Sequence, residues 1–213
     1  MKKLVLSAAV AFLATASAMA QENRDYSAQM GNNNTATTTQ TGDSNQNYLL
    51  QWGNENESTV SQTGNENVSG ANQFGNENKA EVTQIGTSNI SGSFQVGDDN
   101  SNTVLQSGTE NWSLVDQNGT DNTVNVDQWG VNNISNLSQD GTGNEATITQ
   151  ARRDTSANSS NSNTSNATQD GVDNTLIVSQ YGVGNHTADT SQSGEENFAR
   201  NRQGGNGHDA LIT

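Results

Sequence analysis

The side chains that recur at fixed spacing in this sequence are carboxamides, and the chemistry open to a carboxamide is hydrogen bonding in two directions. The group carries two N–H donors and one carbonyl acceptor, so copies placed one above another can bond into a continuous ladder. Gln29, Gln40, Gln51, Gln62, Gln73, Gln84, Gln95, Gln106, Gln117, Gln128, Gln139 and Gln150 follow at a constant step of eleven, and Gln169, Gln180, Gln192 and Gln203 resume the series. Two residues after most of them stands a glycine: Gly42, Gly53, Gly64, Gly75, Gly86, Gly97, Gly108, Gly119, Gly130 and Gly141. Three further on comes asparagine: Asn34, Asn45, Asn56, Asn67, Asn78, Asn89, Asn100, Asn111, Asn122 and Asn133, continued by Asn144, Asn174, Asn185 and Asn197.

Other chemistries lack their parts. His186 and His208 are the two histidines and there is no cysteine, so neither a zinc site nor a nucleophilic centre can be assembled by type. Both histidines read as turn or surface residues. Acidic pairs such as Asp98-Asp99 would suit a calcium-binding β-roll, but that fold needs a nine-residue register and the period here is eleven. Triplets such as Asn56-Glu57-Ser58 and Asn89-Ile90-Ser91 look like glycosylation sequons and fall out of the repeat itself. The expectation is a protein that is no enzyme, with no cofactor, metal or small-molecule substrate.

The elements that position the amides follow from the unit Asn-x-small-x-apolar-x-Gln-x-Gly-x-x. In Asn78-Lys79-Ala80-Glu81-Val82-Thr83-Gln84, residues Asn78, Ala80, Val82 and Gln84 share one face and Lys79, Glu81 and Thr83 the other. Alternation at period two marks a half-buried strand. The Gly-x-x-Asn bridge is turn chemistry, in which Gly supplies positive φ and Asn tolerates the left-handed region. The period and the glycines exclude helix.

A second period lies above the first. Strands with serine inside (Ser69, Ser91, Ser113, Ser135, Ser165) alternate with strands carrying Val82, Val104, Val126, Ile148 and Val178. The unit is therefore a coil of about 22 residues with two strands, and copies stack at about 4.7 Å per layer. The fold class expected is all-β: a two-sided β-solenoid of stacked strand–turn–strand coils. Sixteen strands and a degenerate seventeenth, led by His208 where Asn is expected, make about eight coils. The core should be thin and partly polar, with every polar group paired. Two irregularities stand out. Eight extra residues after Gln150 lengthen one turn, and one extra residue between Gln180 and Gln192 predicts a bulge around Thr187 to Thr190.

Apolar residues make up 29% of the chain and the mean hydropathy is −0.83, a composition that would read as disordered without the repeat. Residues 1–20 have the form of a secretory signal: Lys2 and Lys3, an apolar run from Leu4 to Ala14, and Ala18-Met19-Ala20 before a cleavage point between Ala20 and Gln21. Residues 21–213 then form one repeat domain. Losing Lys2 and Lys3 takes the formal charge of −15 further negative, so a phosphate backbone would be repelled and nucleic acid is an unsuitable partner.

The repeat begins at Asn23 and no capping segment or proline follows it, so open ends should add further copies end to end. Acidic turn residues such as Asp98-Asp99, Asp121, Asp173 and Glu195-Glu196 would restrain sideways clumping. The stretch Gln73-Phe74-Gly75-Asn76-Glu77-Asn78-Lys79-Ala80-Glu81-Val82-Thr83-Gln84 resembles the curlin repeat of bacterial curli subunits, and the likeness covers nearly all of residues 21–213. The resemblance implies a secreted subunit of an extracellular, cell-surface amyloid fibre serving adhesion and biofilm matrix. It also implies an outer-membrane secretion pore and a curli nucleator or partner subunit. Three departures from the family stand out: a longer array, a pre-repeat segment of only Gln21-Glu22, and irregular last repeats with Arg200 and Arg202. Major and nucleator-like minor subunit both remain open. The rival reading is a monomeric β-solenoid binding module for ice or glycans, which calls for regular outward Thr-x-Thr ranks. Trp52, Phe74, Trp129 and Tyr181, between Gln and Gly, could bind sugars, dyes or neighbouring fibrils, or simply cover the strand end.

Overall fold

The computed structural model describes residues 22–151, 162–182 and 184–213. The leader, its Ala20–Gln21 junction and most of the insertion after Gln150 lie outside the described residues.

Two parallel sheets stack face to face and the chain crosses between them at every turn. The first sheet, in order, is β1 (Arg24–Asn32), β3 (Gln46–Asn54), β5 (Val68–Asn76), β7 (Ile90–Asp98), β9 (Trp112–Thr120), β11 (Ile134–Thr142), β13 (Thr164–Val172), β15 (Thr187–Glu195) and β17 (Asp209–Ile212). The second is β2 (Thr35–Asp43), β4 (Glu57–Asn65), β6 (Lys79–Thr87), β8 (Ser101–Thr109), β10 (Thr123–Val131), β12 (Glu145–Ala151), β14 (Thr175–Gly182) and β16 (Phe198–Gly205). This is the two-sided solenoid that the repeat predicts. Pairing keeps like over like: Gln73 lies on Gln95, Gly75 on Gly97 and Ser69 on Ser91.

Backbone bonding does not stop at the strand ends. Val68 N–H donates to Asn89 O at 2.8 Å and Glu77 N–H to Asn54 O at 3.0 Å, so the turns are laddered as well. The serine/apolar alternation survives the insertion, because β13 sits on β11 with Ser165 on Ser135 and Gln169 on Gln139.

The extra residue before Gln192 is not a strand bulge. Thr187 to Glu195 pair one-to-one with Thr164 to Val172, so the surplus is taken up in the turn after Gly182. A bulge inside β15 would have turned its inward residues to the other face; a turn absorbs the residue at no such cost.

The turn also differs from expectation in its left-handed residue. Gly75 has φ 124° as expected, but the second positive φ belongs to Glu77 at 58° and not to Asn78. Asp99, Asp121 and Glu110 repeat this. Aspartate tolerates the left-handed region, but glutamate gains nothing intrinsic from it, and it costs an L-residue about 1–2 kcal/mol. The turn holds because it sends the following Asn inward, where its amide is fully bonded.

Inside, Asn47 Nδ2 donates to Thr38 Oγ1 at 3.0 Å, which shows that the second position of a first-sheet strand faces the fourth of a second-sheet strand. The serine column therefore opposes Val60, Val82, Val104, Val126 and Ile148, all buried. A small residue against a branched one lets the sheets close together. The pairing of polar groups is incomplete, contrary to expectation: the hydroxyls of Ser58, Ser69, Ser91, Ser113, Ser135 and Ser165 form no hydrogen bond. Serine stands there for its size, and the lone hydroxyl is a cost. Ser113→Ala should thus raise stability by about 1 kcal/mol, read as an increased urea midpoint; a lowered midpoint would give the hydroxyl a structural role.

Candidate functional site: the carboxamide ladders

Each of β1 to β16 ends its inward face on glutamine, and the register places those side chains directly over one another within each sheet. In the first sheet Gln51, Gln73, Gln95, Gln117 and Gln139 form one column, and in the second Gln40, Gln62, Gln84, Gln106 and Gln128 form another. Each Nε2 donates to the Oε1 one coil further along, at 2.8 Å from Gln51 to Gln73 and 2.9 Å from Gln84 to Gln106. The same Nε2 bonds backbone carbonyls, as Gln73 does with Glu57 O and Asn78 O at 2.9 Å. From Gln51 to Gln180 the ladder glutamines are buried.

Asparagine builds a second pair of columns at the strand starts. Asn34, Asn56, Asn78, Asn100 and Asn122 line one edge, and Asn45, Asn67, Asn89, Asn111 and Asn133 the other. Asn78 Nδ2 donates back to Asn56 Oδ1 at 3.1 Å and forward to Gly97 O at 2.7 Å. Its own Oδ1 accepts from the N–H and the Nδ2 of Asn100 at 3.1 and 3.0 Å. The amide-to-amide bonds of the two ladders therefore run in opposite directions: glutamine donates toward the C-terminal end of the solenoid, asparagine toward the N-terminal end.

The glycines make these contacts possible. At Gly42, Gly53, Gly64, Gly75, Gly86, Gly97, Gly108, Gly119, Gly130 and Gly141 φ is positive, and at all of these but Gly130 a Cβ would overlap the carbonyl of the glycine one coil further along.

Two expectations about this region fail. Asn185 does not continue the ladder; His186 takes the slot, its carbonyl accepting from Thr164 N–H at 2.7 Å. Neither is His186 a surface residue: it is 0% exposed, with Nε2 3.2 Å from Gly205 O and Nδ1 accepting from His208 N–H at 3.2 Å. The His208 ring stacks on it at 5.4 Å. The four-residue step from Gly182, one longer than Gly171 to Asn174, was the signal in the sequence that moves the slot by one. The exchange breaks the ladder, leaving the buried Asn163 Oδ1 without a hydrogen bond.

The edge where the first sheet passes into the second stacks Glu55, Glu77 and Asp99, each at the left-handed turn position. The charges of Asp99 and then Glu55 push the Glu77 carboxyl above the usual range. Burial does the same for Asp127, and burial with Asp140 for Asp116. Folded chains thus hold protons that unfolded chains release in the window just above the ordinary carboxylate pKa. The stabilisation is fully present below the unfolded pKa and is lost as pH rises through the folded one. The denaturation midpoint should be higher at about pH 5 than at about pH 7.5, measured in urea at both; a higher midpoint at the upper pH would contradict this.

Among the described residues no group of three or more His, Cys, Asp or Glu is placed to hold a metal ion, and no helix is long and apolar enough to cross a membrane. Trp52 and Phe74 are neighbours on the first sheet, whereas Trp129 and Tyr181 lie on the second. Trp52 and Trp129 are about half exposed.

A family model described as the curlin associated repeat matches residues 31–64, 53–86, 97–130 and 119–151. No curated protein matches the chain.

Proposed function

The chain belongs to the curlin family, whose repeat marks curli-type fibre subunits, and from that premise we propose that it is the secreted structural subunit of an extracellular amyloid fibre. The observation that carries this reading is the polarity of the ladders at open ends. Among the described residues β1 and β2 are the outermost strands at one end and β16 and β17 at the other, with no element laid across them. Gln192 and Gln203 close the glutamine ladders with no glutamine beyond them, while Gln29 and Gln40 begin them. At one end the last glutamines donate to backbone carbonyls with no glutamine acceptor beyond them. At the other, among the described residues, Gln29 and Gln40 have no glutamine donor before them, so a second copy can continue both sheets and both ladders. An unpaired strand edge is a template for such addition.

In this reading residues 1–20 direct export and 21–213 form the repeat domain. The fibre serves adhesion and biofilm matrix at the cell surface, with an outer-membrane pore and a nucleating subunit as partners. The ladder amides and turn glycines are its assembly residues. An ice-binding or glycan-binding face finds no support, since the outward column Thr37, Thr59, Glu81, Thr103 is broken at Glu81.

The test dilutes purified residues 21–213 out of denaturant and follows thioflavin fluorescence, then X-ray diffraction of the product. Fibres should grow with a meridional reflection at about 4.7 Å. A chain that stays monomeric in sedimentation would overturn the reading and leave the solenoid standing.

A further inference from the structure

The outer surface of the first sheet is unlike the rest of the molecule. From the third to the seventh strand position, β1, β3, β5 and β7 carry no charge at all, in a chain of net charge −15. The same columns further along turn to Asp116, Asp140, Asp170 and Asp189. The second sheet carries Glu81, Asp127, Arg200 and Arg202 at such positions. On the second sheet at most two adjacent strands, such as β2 and β4, are free of charge at these positions. The four-layer block of the first sheet is therefore the widest face by which two acidic chains can approach at low Coulombic cost.

That face has relief. Tyr26 and Tyr48 stack with ring centroids 5.3 Å apart and planes 5° from parallel, both about half exposed, forming a ridge two layers deep. In the same column the next two layers are Gly70 and Gly92, a notch open at Gly70 and bordered at Gly92 by the Leu114 side chain, whose Cδ1 a Cβ there would meet at 3.0 Å. These glycines are not turn residues, because neither has positive φ. At Gly70 a Cβ would meet nothing nearer than Tyr48 O at 4.0 Å. Glycine in a strand interior weakens it and marks a place where something approaches closely. Within the chain the backbone does not require it there.

We propose that this face docks a second copy of the same chain in antiparallel alignment, the Tyr26–Tyr48 ridge of each seated on the Gly70–Gly92 notch of the other. A two-fold axis along the strand direction, passing between β3 and β5, keeps each residue's strand position and reverses the order of layers. Tyr48 then meets Gly70 and Tyr26 meets Gly92. Ala28 meets Phe94 in the next column, again small against large, and Trp52 meets Phe74. Residue i contacts j and j contacts i, as an isologous interface requires.

The area sets where this operates. Four layers by five residues span about 19 by 17 Å, or roughly 320 Å². Stable complexes bury about 800 Å² per partner. One pair of chains therefore binds weakly, whereas a fibre repeats the contact in every subunit and gains by avidity. The docking is thus lateral association of fibres, and in that respect it rests on the fibre reading.

The test compares wild type with Gly70→Thr and Tyr48→Thr, by filament width in electron microscopy alongside thioflavin kinetics. Threonine favours a strand, and its Cβ at position 70 would meet nothing nearer than 4.0 Å, so Gly70→Thr should keep the denaturation midpoint and the 4.7 Å reflection. It should nevertheless lose side-by-side association, and Tyr48→Thr should lose it too. Variant filaments as associated as wild type would overturn the proposal. So would wild-type filaments that stay single, whether bare or coated with an added polysaccharide. If wild type forms no fibres, the fibre reading fails separately. The docking is then read as a weak dimer in sedimentation at high concentration, present in wild type and absent in Gly70→Thr, and a lack of that dimer overturns it.

Discussion

Gly97→Ala should abolish the native fold of the central coils, a loss above about 4 kcal/mol. Gly97 has φ 115°, which an L side chain adopts only with strain, and its Cβ would overlap the carbonyl oxygen of Gly119. That oxygen is backbone and also accepts the Asn100 side-chain amide at 2.9 Å, so it cannot move aside without opening the asparagine ladder. Two costs fall on one methyl group. The measurement is the urea midpoint and far-ultraviolet circular dichroism of freshly refolded chain, with Gly70→Ala as the control. The control should match or exceed wild type, since its φ is not positive. A Gly97→Ala midpoint within about 0.5 kcal/mol of wild type would show that the turns can open without loss.

Gln84→Ala comes next in size, at about 3 kcal/mol. Gln84 Nε2 shares its two hydrogens among Val68 O at 2.9 Å, Asn89 O at 3.0 Å and Gln106 Oε1 at 2.9 Å, and its Oε1 accepts from Gln62 Nε2 at 2.8 Å. Truncation leaves a buried space and removes the donor to Gln106 Oε1 in a region closed to water. Lys79→Ala and Glu81→Ala, outward on the same strand, should change stability by less than about 0.5 kcal/mol. Fibre growth should slow for Gln84→Ala and hardly for the other two. Equal effects at all three positions would argue that the amide columns are passive filling.

Much of this architecture was legible because stacking forces the inward residues to repeat. Gln73 must sit on Gln95 to bond it, so its spacing is written into the chain. The same logic located the serine column and the glycine turns, and it carried the register across the insertion after Gln150. It failed where a residue could change without breaking the backbone ladder. His186 takes an asparagine slot because an imidazole keeps one donor and one acceptor of the carboxamide's set, and the surplus residue beside it hid in a turn. Glu77 has the left-handed φ expected of Asn78 because the asparagine side chain is needed inside. The outward columns were readable in principle, by stepping 22 residues from Val68 to Ile90, Trp112 and Ile134. Taken strand by strand they look random, since nothing obliges an outward residue to match the one above it.

The carboxamide spacing thus determined the strand length and the register, because a ladder with a fixed step admits one, and the serine/apolar alternation added the two-sheet coil of 22 residues and hence which side chains stack. Tertiary structure decided the direction of each ladder, since donor and acceptor of an amide are assigned only when neighbouring carbonyls are in place. It also brought Tyr26, Tyr48, Gly70 and Gly92 onto one uncharged face: residues 22 apart in the chain become neighbours only when the coils stack.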